Sequence, residues 1–302
     1  MRTHSRIGRL SIAAFALFLC FAAGSFGAET GRQSGMAEVN GTRLYYETAG
    51  RGPVVVFIHG GLVDSRLWDD QFDAFAKKFR VVRYDLRGYG QSAFPKTPFS
   101  HVEDLHALLE FLKIEKTSVV GLSVGGNIAA DFAIEHPEAV EKLVLTGSGL
   151  RGSKLPPNKE NTAVYKAAEE KGMETAIAMW LDNTIFATAK NNAAFVKKTR
   201  RMLADNYKYW GPTPEPIPEV WSNPPTADRL GEIKAATLVI VGEKDAPRLL
   251  AISDILKTRI PNAEKVVIAN VSHHLNMEKP DEFNRVVMDF LRRKDGLGRL
   301  NG

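Results

Sequence analysis

Residues 119 to 131, VVGLSVGGNIAAD, set one hydroxyl between glycines at the end of an apolar run. Ser123 has Gly121 two residues before it and Gly125 two residues after it. A nucleophile must stand proud of a sheet's carboxyl edge, and a sharp strand-to-helix turn achieves this only where neighbouring side chains are missing. The string G-x-S-x-G alone also fits a serine in a plain glycine turn. The apolar strand pattern before it and the helical pattern after it supply the context that a nucleophile requires. A serine hydroxyl is a poor nucleophile at neutral pH. It needs a base within hydrogen-bond reach, and that base needs an acid to orient it. The chain offers seven histidines as bases. Its single cysteine, Cys20, lies in the apolar leader, so cysteine chemistry and disulfides are excluded from an exported chain.

The elements that must hold these groups follow a strand–helix rhythm. TRLYYETA alternates like an exposed strand and PVVVFIHG is a short buried one. RLWDDQFDAFAKKF carries Leu67, Trp68, Phe72, Phe75 and Phe79 at helical spacing. RVVRYDL, the helix of SHVEDLHALLEFLKI with Ser100 and Glu103 as a capping box, KTSVVGLS, GGNIAADFAIEHP and VEKLVLTG continue the series. Such alternation implies a mostly parallel sheet covered on both faces. From about residue 150 the rhythm stops. Residues 151 to 210 read as helices, and GPTPEPIPEVWSNPP holds six of the fifteen prolines, which suits a rigid crossing. Strands and helices resume with ATLVIVGEKD, RLLAISDILKTRI, AEKVVIANVSHH and PDEFNRVVMDFLRRK. The expected organisation is a leader over 1–27, a sheet domain over 28–150 and 229–302, and an inserted helical lid over 151–228.

The leader is read from Arg2, Arg6 and Arg9 followed by nineteen uncharged residues, of which only Ile12 to Ala23 are strongly apolar. That is a signal-peptide pattern, with cleavage expected near Gly27-Ala28, and the chain is expected to be exported. An uncleaved leader anchoring it to the membrane is the alternative. No later segment approaches a membrane span. Cleavage removes three arginines and no acid, lowering the formal charge from +5 to +2, too little to argue for a nucleic-acid partner. At 44% hydrophobic and 25% charged the composition is that of a globular protein, which excludes fibrous and disordered classes.

With these residues in place the chain resembles the α/β-hydrolase superfamily. The likeness covers nearly all of residues 37 to 293. It rests on HGG at 59 to 61, DLRGYGQS at 85 to 92, GLSVGG around Ser123, GEKD at 242 to 245 and SHHLNMEKPDEF at 272 to 283, in the family's order. It implies a mostly parallel, eight-stranded sheet flanked by helices, with an inserted cap, and a triad in the order Ser, Asp, His. The base is then His273 or His274, after the last strand. The family places this histidine five residues before an ExP element, and His273 stands five before Glu278. His274 becomes a packing or pocket-lining neighbour. Asp245, ending the loop after ATLVIVG, is the acid, with Glu243 in reserve. The oxyanion formed on a carbonyl needs preorganised backbone donors, each worth about 3 to 4 kcal/mol. One is the N–H of Val124; for the other the resemblance nominates Gly61, then Leu62. His59, Asp85 and Arg87 are expected to brace loops.

Serine at position 123 argues against haloalkane dehalogenase and epoxide hydrolase chemistry, for which this fold carries aspartate at the nucleophile. Ester, lactone and carbon–carbon bond hydrolysis and perhydrolase chemistry remain, all through a seryl ester and none needing a cofactor. Metal is not expected: His273, His274 and Asp245 could be drawn as ligands, but adjacent histidines rarely converge on one ion. Met173, Trp180, Phe186 and Phe195 are among the large apolar residues of the lid. A roof of this kind favours an uncharged or aryl ester or lactone, while Lys197, Lys198, Arg200 and Arg201 fit a solvated helix face. A non-catalytic binding role is the rival class, since this fold also serves receptors and adhesion proteins.

Overall fold

A computed structural model describes residues 31–207 and 217–293. The leader lies outside them, as do Tyr209, Trp210 and the first half of the proline-rich stretch. Eight strands form one sheet in the order β1-β2-β4-β3-β5-β6-β7-β8. They are β1 (Gln33–Val39), β2 (Thr42–Ala49), β3 (Val54–Ile58), β4 (Arg80–Tyr84), β5 (Thr117–Leu122), β6 (Val140–Thr146), β7 (Ala236–Gly242) and β8 (Ala263–Ile268). Strand β2 runs antiparallel to β1 and β4, and the remaining pairs are parallel. The β1–β2 hairpin turns on Asn40-Gly41, both at positive φ, which matches the right-handed twist of the paired strands.

The central strands are apolar on both faces because helices cover both. Val55 and Phe57 of β3 join one buried cluster, while Val56 and Ile58 join the other; β7 divides in the same way, Leu238 and Ile240 against Val239. The first cluster takes Phe72 and Phe75 from α1 (Asp69–Ala76) and Phe283, Val287 and Phe290 from α8 (Pro280–Arg292). The second takes Leu105 and Leu108 from α2 (His101–Phe111), Ile128 and Phe132 from α3 (Val124–Glu135), and Ile252 and Leu256 from α7 (Pro247–Arg259). Ser100 caps α2 by accepting from the Glu103 N–H, and prolines open α7 and α8, where no N–H is needed. The helix expected over residues 66–79 is shorter than its apolar spacing suggests. Asp64 caps a 3₁₀ turn at Ser65–Trp68 and α1 starts only at Asp69.

Between β6 and β7 run α4 (Lys159–Lys171), α5 (Met173–Leu181) and α6 (Ala193–Asp205). Asn206, at the end of α6, ties this insertion to the sheet loops: its side chain donates to Asp64 (2.8 Å) and accepts from the Gly90 N–H (2.6 Å). Lys198 pairs with Asp69 of α1 at 3.2 Å. The strand order reverses between β3 and β5, so the loops leaving these two strands border a crevice at the sheet's carboxyl edge. Among the described residues no helix is long and apolar enough to cross a membrane.

Candidate active site

Ser123 follows β5 and precedes α3, beside that crevice. Its φ of 57° and ψ of −112° lie outside the regions open to most side chains, so the surrounding structure must impose the turn. The flanking glycines show how. A Cβ on Gly121 would lie 2.2 Å from the Gly125 carbonyl oxygen, and a Cβ on Gly125 would lie 2.3 Å from that of Ile58. Only with both missing can α3 start this close to β3 and β5. Val124 is the first residue of α3, where an N–H has no intrahelical partner and is available to an anion. Gly61 stands against it, a Cβ there reaching the Val124 side chain at 3.2 Å. Leu62, next along, has φ +65°, which turns the loop after β3 sharply beside Ser123.

Asp245 and His273 meet across the ends of β7 and β8. The His273 Nδ1 lies 3.0 Å from Asp245 Oδ2, and both side chains are almost fully buried. The other carboxylate oxygen accepts the Ala246 N–H at 2.8 Å, which fixes its rotamer. With Nδ1–H donated to the carboxylate, Nε2 keeps its lone pair and can accept a proton. Glu243 is turned elsewhere: it is exposed and accepts the Asn270 N–H at 2.9 Å. Of the adjacent histidines, His274 packs edge-on to Phe186 with ring centroids 4.8 Å apart and lies 5.8 Å from Phe195. Burial, reinforced by His273, pushes its imidazole well below the usual range, so it stays neutral.

The loop after β6 joins the two halves. The Ser123 N–H donates to Thr146 O at 3.0 Å and the Gly149 N–H donates to Ser123 O at 3.1 Å. Gly147, at φ +46°, leaves room for the acid–base pair: a Cβ there would stand 2.9 Å from His273 Nδ1 and 3.3 Å from Asp245 Oδ2. The segment TGSG after β6 carries no carboxylate, and Gly147 is not among the residues that the sequence analysis names. A glycine directly after a buried strand was the available signal. Glu278 was likewise used only as a spacing mark. It accepts the Ser272 N–H (3.1 Å) and hydroxyl (2.8 Å), and the Thr188 hydroxyl also bonds to it, so it ties the His273 loop to the insertion. The His273 N–H donates to Ile185 O of the insertion at 3.0 Å.

The bracing residues are distinct from this pair. His59 donates from Nδ1 to Gly60 O (2.7 Å) and accepts the Leu86 N–H at Nε2 (2.9 Å), and burial pushes its pKa down. Both ring nitrogens are thus committed to loops. Asp85 accepts the N–H groups of Ser65 and Gln91, while Arg87 donates to Asp104 and to Asn40 O.

A strained serine turn after β5 and a hydrogen-bonded aspartate and histidine after β7 and β8 stand at the carboxyl ends of strands of one sheet. Residues 53–280 match the family model described as alpha/beta hydrolase fold. The chain belongs to the α/β-hydrolase family. Among curated relatives, the 2-hydroxy-6-oxo-6-phenylhexa-2,4-dienoate hydrolase of Comamonas testosteroni is 29% identical over 272 residues, covering 83% of this chain and 92% of that protein. The enol-lactonase of Burkholderia xenovorans LB400 is a solved structure with TM-score 0.73 and 27% identity, covering 86% of this α/β-hydrolase and 100% of that chain. Est816, described as an N-acyl homoserine lactone degrading enzyme, gives TM-score 0.70 and 28% identity, covering 85% and 100%. All three names specify a small-molecule substrate, a dienoate or a lactone.

Proposed function

We propose that this α/β-hydrolase cleaves an uncharged carboxylic ester or lactone through a seryl-ester intermediate. The buried Asp245–His273 hydrogen bond, joined to the Ser123 turn through Thr146 at the end of β6 and Gly147 directly after it, is the observation that carries the reading. In the proposed reaction the Ser123 hydroxyl attacks the carbonyl carbon while its proton passes to His273 Nε2. The oxyanion is held by the Val124 N–H and by a donor from the loop after β3, Gly61 being the candidate. Collapse expels the alkoxide, which takes the proton from His273 and leaves as the alcohol, or as the free hydroxyl end of an opened lactone. Water, deprotonated by His273, then attacks the acyl carbon and releases the acid and Ser123. The insertion serves as a cap in this reading, since Phe186 and Phe195 pack around His274 beside the base and Ile185 binds its backbone.

The preference for an uncharged acyl group rests on the cations. Among the described residues of the insertion and its flanks, Arg151 pairs with Asp131, Lys190 with Asp182, Lys198 with Asp69 and Arg200 with Glu174, while Arg248 binds the carbonyls of Leu155 and Pro156. Each of these charges is already engaged, and Lys154, Lys159, Lys171 and Lys197 of the same segment are exposed on the surface. Carbon–carbon bond cleavage is the second reading, favoured by the relative whose name specifies a phenylhexadienoate. A panel of short aryl esters, γ-lactones and a phenyl-substituted oxo-dienoate separates the two. Turnover of esters or lactones at kcat/KM at least about tenfold above the dienoate is expected, the ratio that about 1.4 kcal/mol of differential transition-state binding gives. A reversed order would replace the first reading with the second, and an inert wild type would favour a binding protein.

Export belongs to the same proposal, supported by the leader pattern. The N-terminal sequence of protein recovered outside the cytoplasm is expected to begin near Ala28; an intact leader in a membrane fraction would favour the anchor.

A further inference from the structure

At the far end of α3 from Ser123, three residues that are scattered in the sequence converge. Glu103 and His106 stand one turn apart on α2, and His136 ends α3. One ligand atom from each lies within 4.8 Å of the other two, and among the described residues this is the sole such group of three. The two imidazoles are stacked at 4.1 Å between centroids and 10° between planes. His136 Nε2 is buried, faces Glu103 Oε1 at 3.5 Å, and makes no hydrogen bond. A buried imidazole nitrogen without a partner is costly and needs an explanation.

We propose that Glu103, His106 and His136 bind a divalent transition-metal ion, with Zn²⁺ the expected occupant. Two neutral imidazoles and one carboxylate are a ligand set that zinc accepts, leaving a fourth position for water. The ion gives the orphaned His136 Nε2 a partner and draws negative charge from Glu103, with Glu138 Oε1 standing 4.0 Å from His136 Nδ1 as an outer carboxylate for the other ring nitrogen. An adjoining hollow of about 430 Å³, lined by His106 and Glu138, opens the site to solvent. Bonds of about 2.0–2.2 Å require the ligand atoms to close up, and Glu103, half-exposed at 55%, is free to make most of that move while the ring stack splays.

The site is structural. From Ser123 to His136 the helix extends about 20 Å, too far for the ion to touch a substrate carbonyl at the nucleophile. Its effect is to clamp α2 to α3, the helix whose other end carries Ser123.

Equilibrium dialysis of the full chain against Zn²⁺, with Co²⁺ absorption reporting geometry, tests this. One ion per chain is expected, with a tetrahedral visible spectrum for Co²⁺. Glu103→Gln, an exposed substitution that leaves the core untouched, and His106→Gln are each expected to remove tight binding, and Glu138→Gln to weaken it about tenfold. At a hundredfold excess over Kd, Zn²⁺ should raise the folded-to-unfolded ratio about 100-fold in wild type and leave it unchanged in Glu103→Gln. Absence of saturable binding overturns the proposal. So does binding that survives both Glu103→Gln and His106→Gln, or that is lost on His273→Ala, which would put the ion in the catalytic crevice.

Discussion

Ser123→Ala is expected to lower kcat by about 10⁶-fold while leaving the fold and the thermal transition close to wild type. The size follows from the loss of the covalent route. Without the hydroxyl there is no seryl ester, and only oxyanion donors and binding remain, worth about 10³–10⁴ over water. The substitution itself is mild, since Ser123 is half-buried, its side chain caps nothing in α3, and alanine removes one oxygen. The positive φ is already imposed by the turn and is no worse for alanine than for serine. An aryl phosphonate should therefore add once to the folded wild type, and peptide mass spectrometry should place it on Ser123, with no adduct in Ser123→Ala. A label on another residue, or full turnover by the variant, would overturn the assignment of the nucleophile.

The second large effect separates two neighbouring imidazoles. His273→Ala should reduce the acylation rate by several orders of magnitude, because the serine then lacks its base, whereas His274→Ala should cost far less in kcat. His274 holds no carboxylate. It fills an aromatic nest beside Phe186 and Phe195, so its removal should show first as a lower melting temperature and a changed KM for bulky esters. Asp245→Asn should lower kcat by about 10⁴, since an amide can hold the ring in the tautomer whose Nε2 carries the proton. Glu243 is placed to rescue none of this, being exposed and bound to the Asn270 N–H. Single-turnover kinetics with an activated ester resolve acylation from deacylation for all three variants. If His274→Ala abolishes turnover while His273→Ala spares it, the two roles exchange and the hydrogen bond to Asp245 is only structural.

Much of the fold was legible because its signals are local. Strand periodicity, the helical spacing of apolar residues and the capping serine at position 100 each depend on residues a few positions apart, and together they give the alternating plan that the sheet realises. The elbow is local too. Gly121 and Gly125 act through contacts that any strand-to-helix turn of this sharpness must make, so residue types and spacing were enough to place the turn at Ser123. The order of motifs then pointed to Asp245 and His273 through resemblance to the family. Tertiary structure decided what distance along the chain conceals. It turned Glu243 outward although it lies two residues from Asp245, because the carbonyl and amide pairings of the β7–β8 ends fix which carboxylate faces inward. It gave Gly147 its purpose, a missing Cβ beside His273, and made Glu278 the link between the base's loop and the insertion. It also set Glu103, His106 and His136 side by side. None of these follows from periodicity, because each depends on which ends of non-adjacent elements the parallel sheet and its two helical layers bring together.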